Sequence, residues 1–229
     1  MKLFIKQRAL FYYYINISPL QMAVEVENDE IFKLLLENKS ITIGNYTFYW
    51  CTKLKEITIP SYIKEISVSA FYSCTELKRV IIPDSVTSIG DAAFQSCFAL
   101  NKIKIPDTVT TIGRQAFILC SSLREFKFPS SYSETFIPYE AFKNCSSLNN
   151  ITIPSSITTI KSGAFRSCTS LRKIEIPTSV RTIENFVFYN CTSLIEINIP
   201  STITMIDESV FEDCESLTEI TIPSSVLYI

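Results

Sequence analysis

From residue 41 to residue 229, apolar and polar positions recur with a period of 23 residues. Each unit holds an apolar–polar–apolar triplet, such as Ile103-Lys104-Ile105, followed by a proline. Alternation with a period of two predicts a short strand with one buried face. The proline ends this strand, because proline has no N–H to donate to a further rung. Two more apolar positions, Val109 and Ile112 in this unit, predict a second short extended segment.

The remainder of each unit carries three small or apolar residues, here Ala116, Phe117 and Cys120. Their spacing of i, i+1 and i+4 predicts one or two helical turns. We expect the phenylalanine to fill the interior, and the alanine to let neighbouring backbone approach closely. Leu123 then leads into the next strand. The unit reads L-x-x-I-x-I-P-x-S-V-x-x-I-x-x-x-A-F-x-x-C-x-x.

Eight aligned copies of this unit predict a solenoid, in which each repeat is one turn of a coil. The expected fold is therefore a β-rich α/β solenoid of about eight 23-residue turns with parallel strands. The cysteines that mark the period are Cys51, Cys74, Cys97, Cys120, Cys145, Cys168, Cys191 and Cys214. The phenylalanines in step with them are Phe48, Phe71, Phe94, Phe117, Phe142, Phe165, Phe188 and Phe211.

One interval is longer, because two extra residues lie between Pro129 and Phe142. Glu134 stands where an apolar residue is expected, whereas Ile137 keeps its place. We expect a bulge on the face away from the Ile-x-Ile strands. An insertion of this kind is either a binding loop or neutral drift.

Residues 1–40 have a different pattern, which predicts two amphipathic helices ahead of the solenoid at 41–229. Ser18 and Pro19 form a helix start, and Leu20, Ala23 and Val24 share one helical face. The apolar face expected for the second helix consists of Ile31, Leu34 and Leu35. The segment resembles one ankyrin repeat. It is interpreted as a helical cap on the solenoid, the remnant of a longer ankyrin array, or an ordinary helical hairpin.

The composition argues against an enzyme. The chain has no histidine, which excludes Ser-His-Asp and Cys-His catalysis and any zinc site that uses histidine. Its four glycines are scattered and form no phosphate-binding loop. We predict no enzymatic activity, no cofactor and no metal. The evenly spaced cysteines favour buried free thiols, although neighbouring members are within possible disulfide range.

The unit that runs from Pro83 through Ser85, Val86, Ile89 and Phe94 to Cys97 resembles the repeat of the BspA-like leucine-rich repeat family. The resemblance covers residues 41–229. It implies a curved right-handed solenoid without enzymatic activity that binds proteins, as surface antigens do in adhesion on bacteria and parasitic protists. An alternative is an intracellular scaffold or regulatory module that combines ankyrin and leucine-rich repeats.

Two lines of inference give different cellular locations for the protein. The family resemblance implies the cell surface. The apolar run from Ala9 to Ile15 is short, rich in tyrosine and without a small-residue cleavage site, so it is a poor signal peptide and suggests the cytoplasm. No apolar stretch has the length of a membrane span. The net charge of −2 predicts no attraction to nucleic acid.

Residues on either side of the central isoleucine of each triplet are expected to point outward. Among them, Arg79, Lys102, Lys104 and Lys127 form the densest cluster of one charge. We call these four residues the basic strip. It is interpreted either as a docking surface for an acidic protein partner or as a solvated sheet face that discourages aggregation.

The sequence from Pro223 to Ile229 enters a ninth unit without a polar capping repeat. Solenoid ends generally need such a cap for solubility. We therefore expect either an incomplete chain or end-to-end self-association through this end.

Overall fold

The structure is a computed structural model, and it describes residues 18–27, 29–38 and 43–227. Two helices come first, α1 (Pro19–Glu25) and α2 (Asp29–Glu37). Short strands joined by turns follow, and they wind into a coil with a continuous apolar core. The fold is the expected parallel-strand solenoid.

The strands form two columns along the coil. The first column holds three-residue strands: β1 (Glu56–Thr58), β3 (Arg79–Ile81), β6 (Glu125–Lys127), β8 (Asn150–Thr152), β10 (Lys173–Glu175) and β12 (Glu196–Asn198). The second column holds two-residue strands: β2 (Glu65–Ile66), β4 (Ser88–Ile89), β5 (Thr111–Ile112), β7 (Phe136–Ile137), β9 (Thr159–Ile160), β11 (Thr182–Ile183) and β13 (Met205–Ile206).

All strand pairs are parallel and join equivalent residues of successive turns, such as Ile57 with Val80. The paired sets are β1-β3, β6-β8 and β10-β12 in the first column, and β2-β4-β5 and β7-β9-β11-β13 in the second. In every three-residue strand the central side chain is buried and its neighbours are exposed. This alternation confirms the predicted inward and outward positions.

The segment around each Ala-Phe pair is a run of turns, so the prediction of helical turns there is wrong. Gln115 and Leu119 have φ angles of 57° and 63°, in the left-handed region. This geometry directs every second N–H along the coil axis. The N–H groups of Gln115, Phe117 and Leu119 donate to carbonyls of the next turn, those of Tyr139, Ala141 and Lys143. A helix would use these donors within its own turn.

The eight repeat phenylalanines form one stack through the middle of the coil. Successive ring centroids lie 5.0–5.8 Å apart, and the ring planes are within 10° of parallel. The rings from Phe48 to Phe188 have no exposed surface. The near-constant spacing follows from the strand spacing, because each turn places its ring above that of the preceding turn.

The two helices cap the first turn of the coil. Ser18 and Gln21 form a reciprocal capping box, and Leu20, Ala23 and Val24 are buried, as predicted. The predicted face of α2 is wrong in part, since Ile31 and Leu34 are 48% and 66% exposed.

The buried side of α2 instead includes Leu36, and Phe32 packs against the core. The ring of Phe32 meets Phe48 edge-on at 6.0 Å between centroids. This contact closes the first end of the phenylalanine stack, and it turns Ile31 and Leu34 outward. The ankyrin-like character of the segment stays a prediction.

The two-residue insertion lies beside the second strand column, as expected. Strands β6 and β8 pair across it without interruption, whereas the second column divides between β5 and β7. Tyr132, not residue 134, takes the buried place of Val109 in the preceding turn, and its hydroxyl donates to the carbonyl of Phe136 at 3.0 Å. The extra residues therefore follow Tyr132.

The stack predicts that Phe117→Ala destabilises the protein by about 3–5 kcal/mol, because it leaves a cavity between two fully buried rings. Phe98→Ala is the matched control, since Phe98 is 41% exposed; its expected cost is below about 1 kcal/mol. Urea unfolding followed by circular dichroism measures both. Equal losses in the two variants would contradict the structural role of the stack.

Candidate protein-interaction surface

The first strand column presents an open polar face, on which all four residues of the basic strip are exposed. Arg79, Lys102 and Lys104 line one shallow depression together with Glu56 and Asp84. Lys127 lines a neighbouring depression, beside Phe128, Pro129 and Tyr132. The fold thus brings three of the four predicted residues around one concavity and places the fourth next to it.

Ion pairing divides the basic strip. The Nζ atom of Lys102 lies 3.0 Å from Oε1 of Glu125, in the neighbouring turn. The side chains of both residues are more than half exposed, so this pair contributes little to stability, but it offsets the charge of Lys102. Lys173 and Glu196 make an equivalent 3.0 Å pair farther along the face.

Within residues 18–27, 29–38 and 43–227, no carboxylate lies at ion-pair distance from Arg79, Lys104 or Lys127. We call these three residues the unpaired basic cluster. Lys104 and Lys127 both act electrostatically on Asp107. Hydrogen bonding from Ser130 lowers the pKa of Asp107, and the charges of Lys127 and Lys104 lower it further. The two lysines therefore favour the charged form of this carboxyl group.

The cysteines play a structural part. Each is buried as a free thiol. From Cys74 onward, each Sγ lies 3.1–3.2 Å from a phenylalanine carbonyl of the preceding turn, to which its S–H donates. The same carbonyl accepts the N–H of the cysteine in its own turn, as Phe48 does from Cys51. In the part of the chain that the structure describes, no group of three or more His, Cys, Asp or Glu residues is arranged to hold a metal ion.

The buried carboxylate of Glu140 was not predicted from the sequence. Glu140 is 8% exposed and accepts hydrogen bonds from Gln115 and Lys143. Burial raises the pKa of Glu140, but the hydrogen bonds from Lys143 and Gln115 outweigh this effect and keep the pKa below its ordinary value. A Cβ atom at Gly163 would lie 3.1 Å from Cγ of Glu140, so this glycine leaves room for the carboxylate. The sequence indicates this buried carboxylate only by a glutamate at a position where most other turns have a small residue.

The helices of the described residues are all too short and polar to cross a bilayer.

The repeat geometry agrees with the comparisons to known proteins. The model of the BspA type leucine-rich repeat region matches residues 26–138 and 135–229 in six copies. The chain therefore belongs to the BspA type leucine-rich repeat family. None of the curated proteins is significantly similar to it.

Several solved structures share the fold. A leucine-rich repeat protein from Bacteroides ovatus is 33% identical, with a TM-score of 0.76 over 81% of this chain and 48% of its own. One from Eubacterium ventriosum is 32% identical, with a TM-score of 0.63 over 74% of this chain and 45% of its own. The leucine-rich repeat protein of T. pallidum is 26% identical, with a TM-score of 0.50 over 78% of this chain and 72% of its own. The chain thus spans about half the length of the first two proteins.

The thiols predict a loss of stability at high pH. Burial raises the pKa of Cys120 well above its ordinary value. Above about pH 8.5 the unfolded chain therefore releases a proton that the native state retains, and the free energy of unfolding falls by up to about 1.4 kcal/mol per pH unit for each such thiol.

Cys120→Ala should flatten this dependence by about 1 kcal/mol per pH unit between about pH 9.5 and 10.5. Urea unfolding under reducing conditions provides the measurement. The control is Val109→Ala, which also removes buried core atoms but no titrating group, and which should lower stability with an unchanged slope. Identical slopes for wild type and Cys120→Ala would show that the native thiol already titrates.

Proposed function

We propose that this chain is a non-enzymatic protein-binding solenoid whose unpaired basic cluster docks an acidic segment of a partner protein. The observation that carries the proposal is the exposure of Arg79, Lys104 and Lys127 in three successive turns, with no ion-pair partner among the described residues. Like charges in adjacent turns repel one another. An acidic segment laid across the turns would relieve this repulsion.

The scaffold supports recognition without rearrangement. Arg79 lies on β3, which pairs with the preceding turn, and Lys127 lies on β6, which pairs with the next turn. The residue beside each of them in its strand, Val80 or Phe126, is buried. Residues on rigid strands lose little backbone entropy on binding. The cluster is therefore suited to a partner with a fixed spacing of carboxylates.

We assign this contact a role in adhesion, because the resemblance of the chain to the BspA-like family implies a surface antigen. A second candidate is an intracellular scaffold. The thiols fit the reducing compartment of this second candidate, but their burial would protect them in either location. Labelling intact cells with a biotin reagent that does not cross membranes separates the two, because only a surface protein is labelled before lysis.

The cluster predicts that Arg79→Glu/Lys104→Glu/Lys127→Glu weakens binding of a fluorescent poly-glutamate peptide at least tenfold. Binding to wild type should also weaken as the salt concentration rises, because the charges are exposed. Fluorescence anisotropy at two salt concentrations measures both effects.

The matched control reverses three exposed cations next to strands of the second column, Lys64, Arg114 and Arg181. It changes the net charge of the chain by the same amount, so it corrects for long-range attraction. Equal binding by the two triple variants would refute the proposed site. The result would extend to a natural partner if a captured surface protein binds the control variant but not the variant of the unpaired basic cluster.

A further inference from the structure

Four aromatic side chains form an exposed patch on the turn segments of the first two turns. Tyr46, Tyr49 and Trp50 are 53%, 38% and 60% exposed, and Tyr72 is half-buried beside them. The ring centroid of Tyr49 lies 4.8 Å from that of Tyr72, 5.6 Å from that of Tyr46 and 6.1 Å from that of Trp50. The rings are therefore contiguous. We call these four residues the aromatic patch.

Two of the rings occupy unfavourable backbone positions. Tyr46 and Trp50 have φ angles of 60° and 61°, in the left-handed region, where large side chains are uncommon. The next turn places Ser69 and Ser73 at the same positions. Across all later turns the equivalents of Trp50 contain no aromatic residue, and those of Tyr46 contain only Phe186. The left-handed φ recurs at these positions in the other turns, as at Ser69 and Ser73, so it belongs to the coil geometry. Since the rings are exposed, burial does not explain the choice of two large aromatic residues here, and that choice points to a binding role.

The patch is held rigidly from below. The N–H of Tyr46 donates to Val68 at 3.1 Å, and that of Trp50 donates to Tyr72 at 2.8 Å. The side-chain amide of Gln21, in helix α1, donates to the carbonyls of Tyr46 at 3.3 Å and Tyr49 at 2.9 Å. A platform fixed in this way loses little entropy when a ligand binds.

The chemistry of the rings suits a ligand that has apolar C–H faces and polar edges. The patch offers ring faces, phenol hydroxyls and one indole N–H, and none of these groups is charged. At its edge the side-chain amide of Gln95 reaches the hydroxyl of Tyr72 at 3.5 Å. A pyranose ring matches this arrangement, because its C–H face is attracted to the negative face of an aromatic ring while its hydroxyls bond the edges.

The ring spacing argues against a proline-rich peptide. Such peptides seat prolines in grooves between aromatic side chains. A ring inserted between two others needs about 7 Å, twice the usual contact distance. The separations of 4.8, 5.6 and 6.1 Å leave no room for a proline between Tyr49 and any of its three neighbouring rings. We propose that the aromatic patch binds neutral hexose units of a glycan, stacked on its outer ring faces.

Trp50 supplies a direct probe, since it is the chain's one tryptophan. Titration with maltotetraose, cellotetraose and mannotetraose should change its fluorescence saturably for at least one sugar, with a Kd on the order of 1 mM, as expected for a small ligand on an open surface. Tyr46→Ser and Tyr72→Gln take their residues from the next turn, which favours folding. Each should weaken binding at least tenfold.

Phe186→Ser is the matched control, because it makes the same substitution at the position equivalent to Tyr46 but six turns away; binding should not change. Trp50→Ser, followed by saturation-transfer NMR of the sugar, should abolish the signal. Circular dichroism verifies the fold of each variant, and the wild-type titration stands if one variant fails to fold.

No saturable binding of any tetraose overturns the proposal, as does binding that Tyr46→Ser and Tyr72→Gln leave intact. A proline-rich peptide that binds wild type, and loses binding in the same two variants, overturns it in favour of a peptide site.

Discussion

Backbone hydrogen bonds that pass from each turn to the next are the interaction on which this structure depends. They join the strands of both columns, and they continue through the turn segment, where Phe117 and its neighbours donate along the coil axis. Because these bonds fix one spacing between turns, equivalent side chains must lie above one another. The phenylalanine stack follows from that requirement, as does the preference for a small residue, such as Ala116, before most of the rings.

The cysteine positions follow from the same constraint. A phenylalanine carbonyl in the turn segment already accepts one N–H, and a second donor satisfies its other lone pair. The thiol of the next turn is a small apolar group with a weak S–H donor, so it fills the buried space and makes this bond. Metal binding and disulfide formation would each require the thiol to leave that carbonyl.

Much of the fold was predictable, because periodicity records which side chains stack. The inward isoleucines, the parallel strands, the capping role of Ser18 and the location of the insertion all follow from residue spacing. The turn segment was not predictable in this way. Its apolar spacing of i, i+1 and i+4 is shared by a helix and by a run of turns, and residues such as Gln115 and Leu119 give no glycine signal for a left-handed backbone. The face of α2 was mistaken because Phe32 closes the phenylalanine stack, a contact across different parts of the chain.

The two proposed binding surfaces were the least predictable, since they lie where stacking imposes no residue. Outward positions of the first strand column vary freely, and there the basic strip was visible as a run of charges. The ion pair with Glu125, which offsets the charge of Lys102 within this strip, depends on side-chain geometry between neighbouring turns. The aromatic patch required the structure for another reason. Tyr49 and Tyr72 occupy equivalent positions of successive turns, so the repeat alone stacks them. The position of Tyr46 and Trp50 beside Tyr49 depends on the left-handed turns, which the sequence pattern did not reveal. A solenoid of this kind therefore separates its two tasks, since the stacked positions hold the coil together and the positions between them are free to acquire binding chemistry.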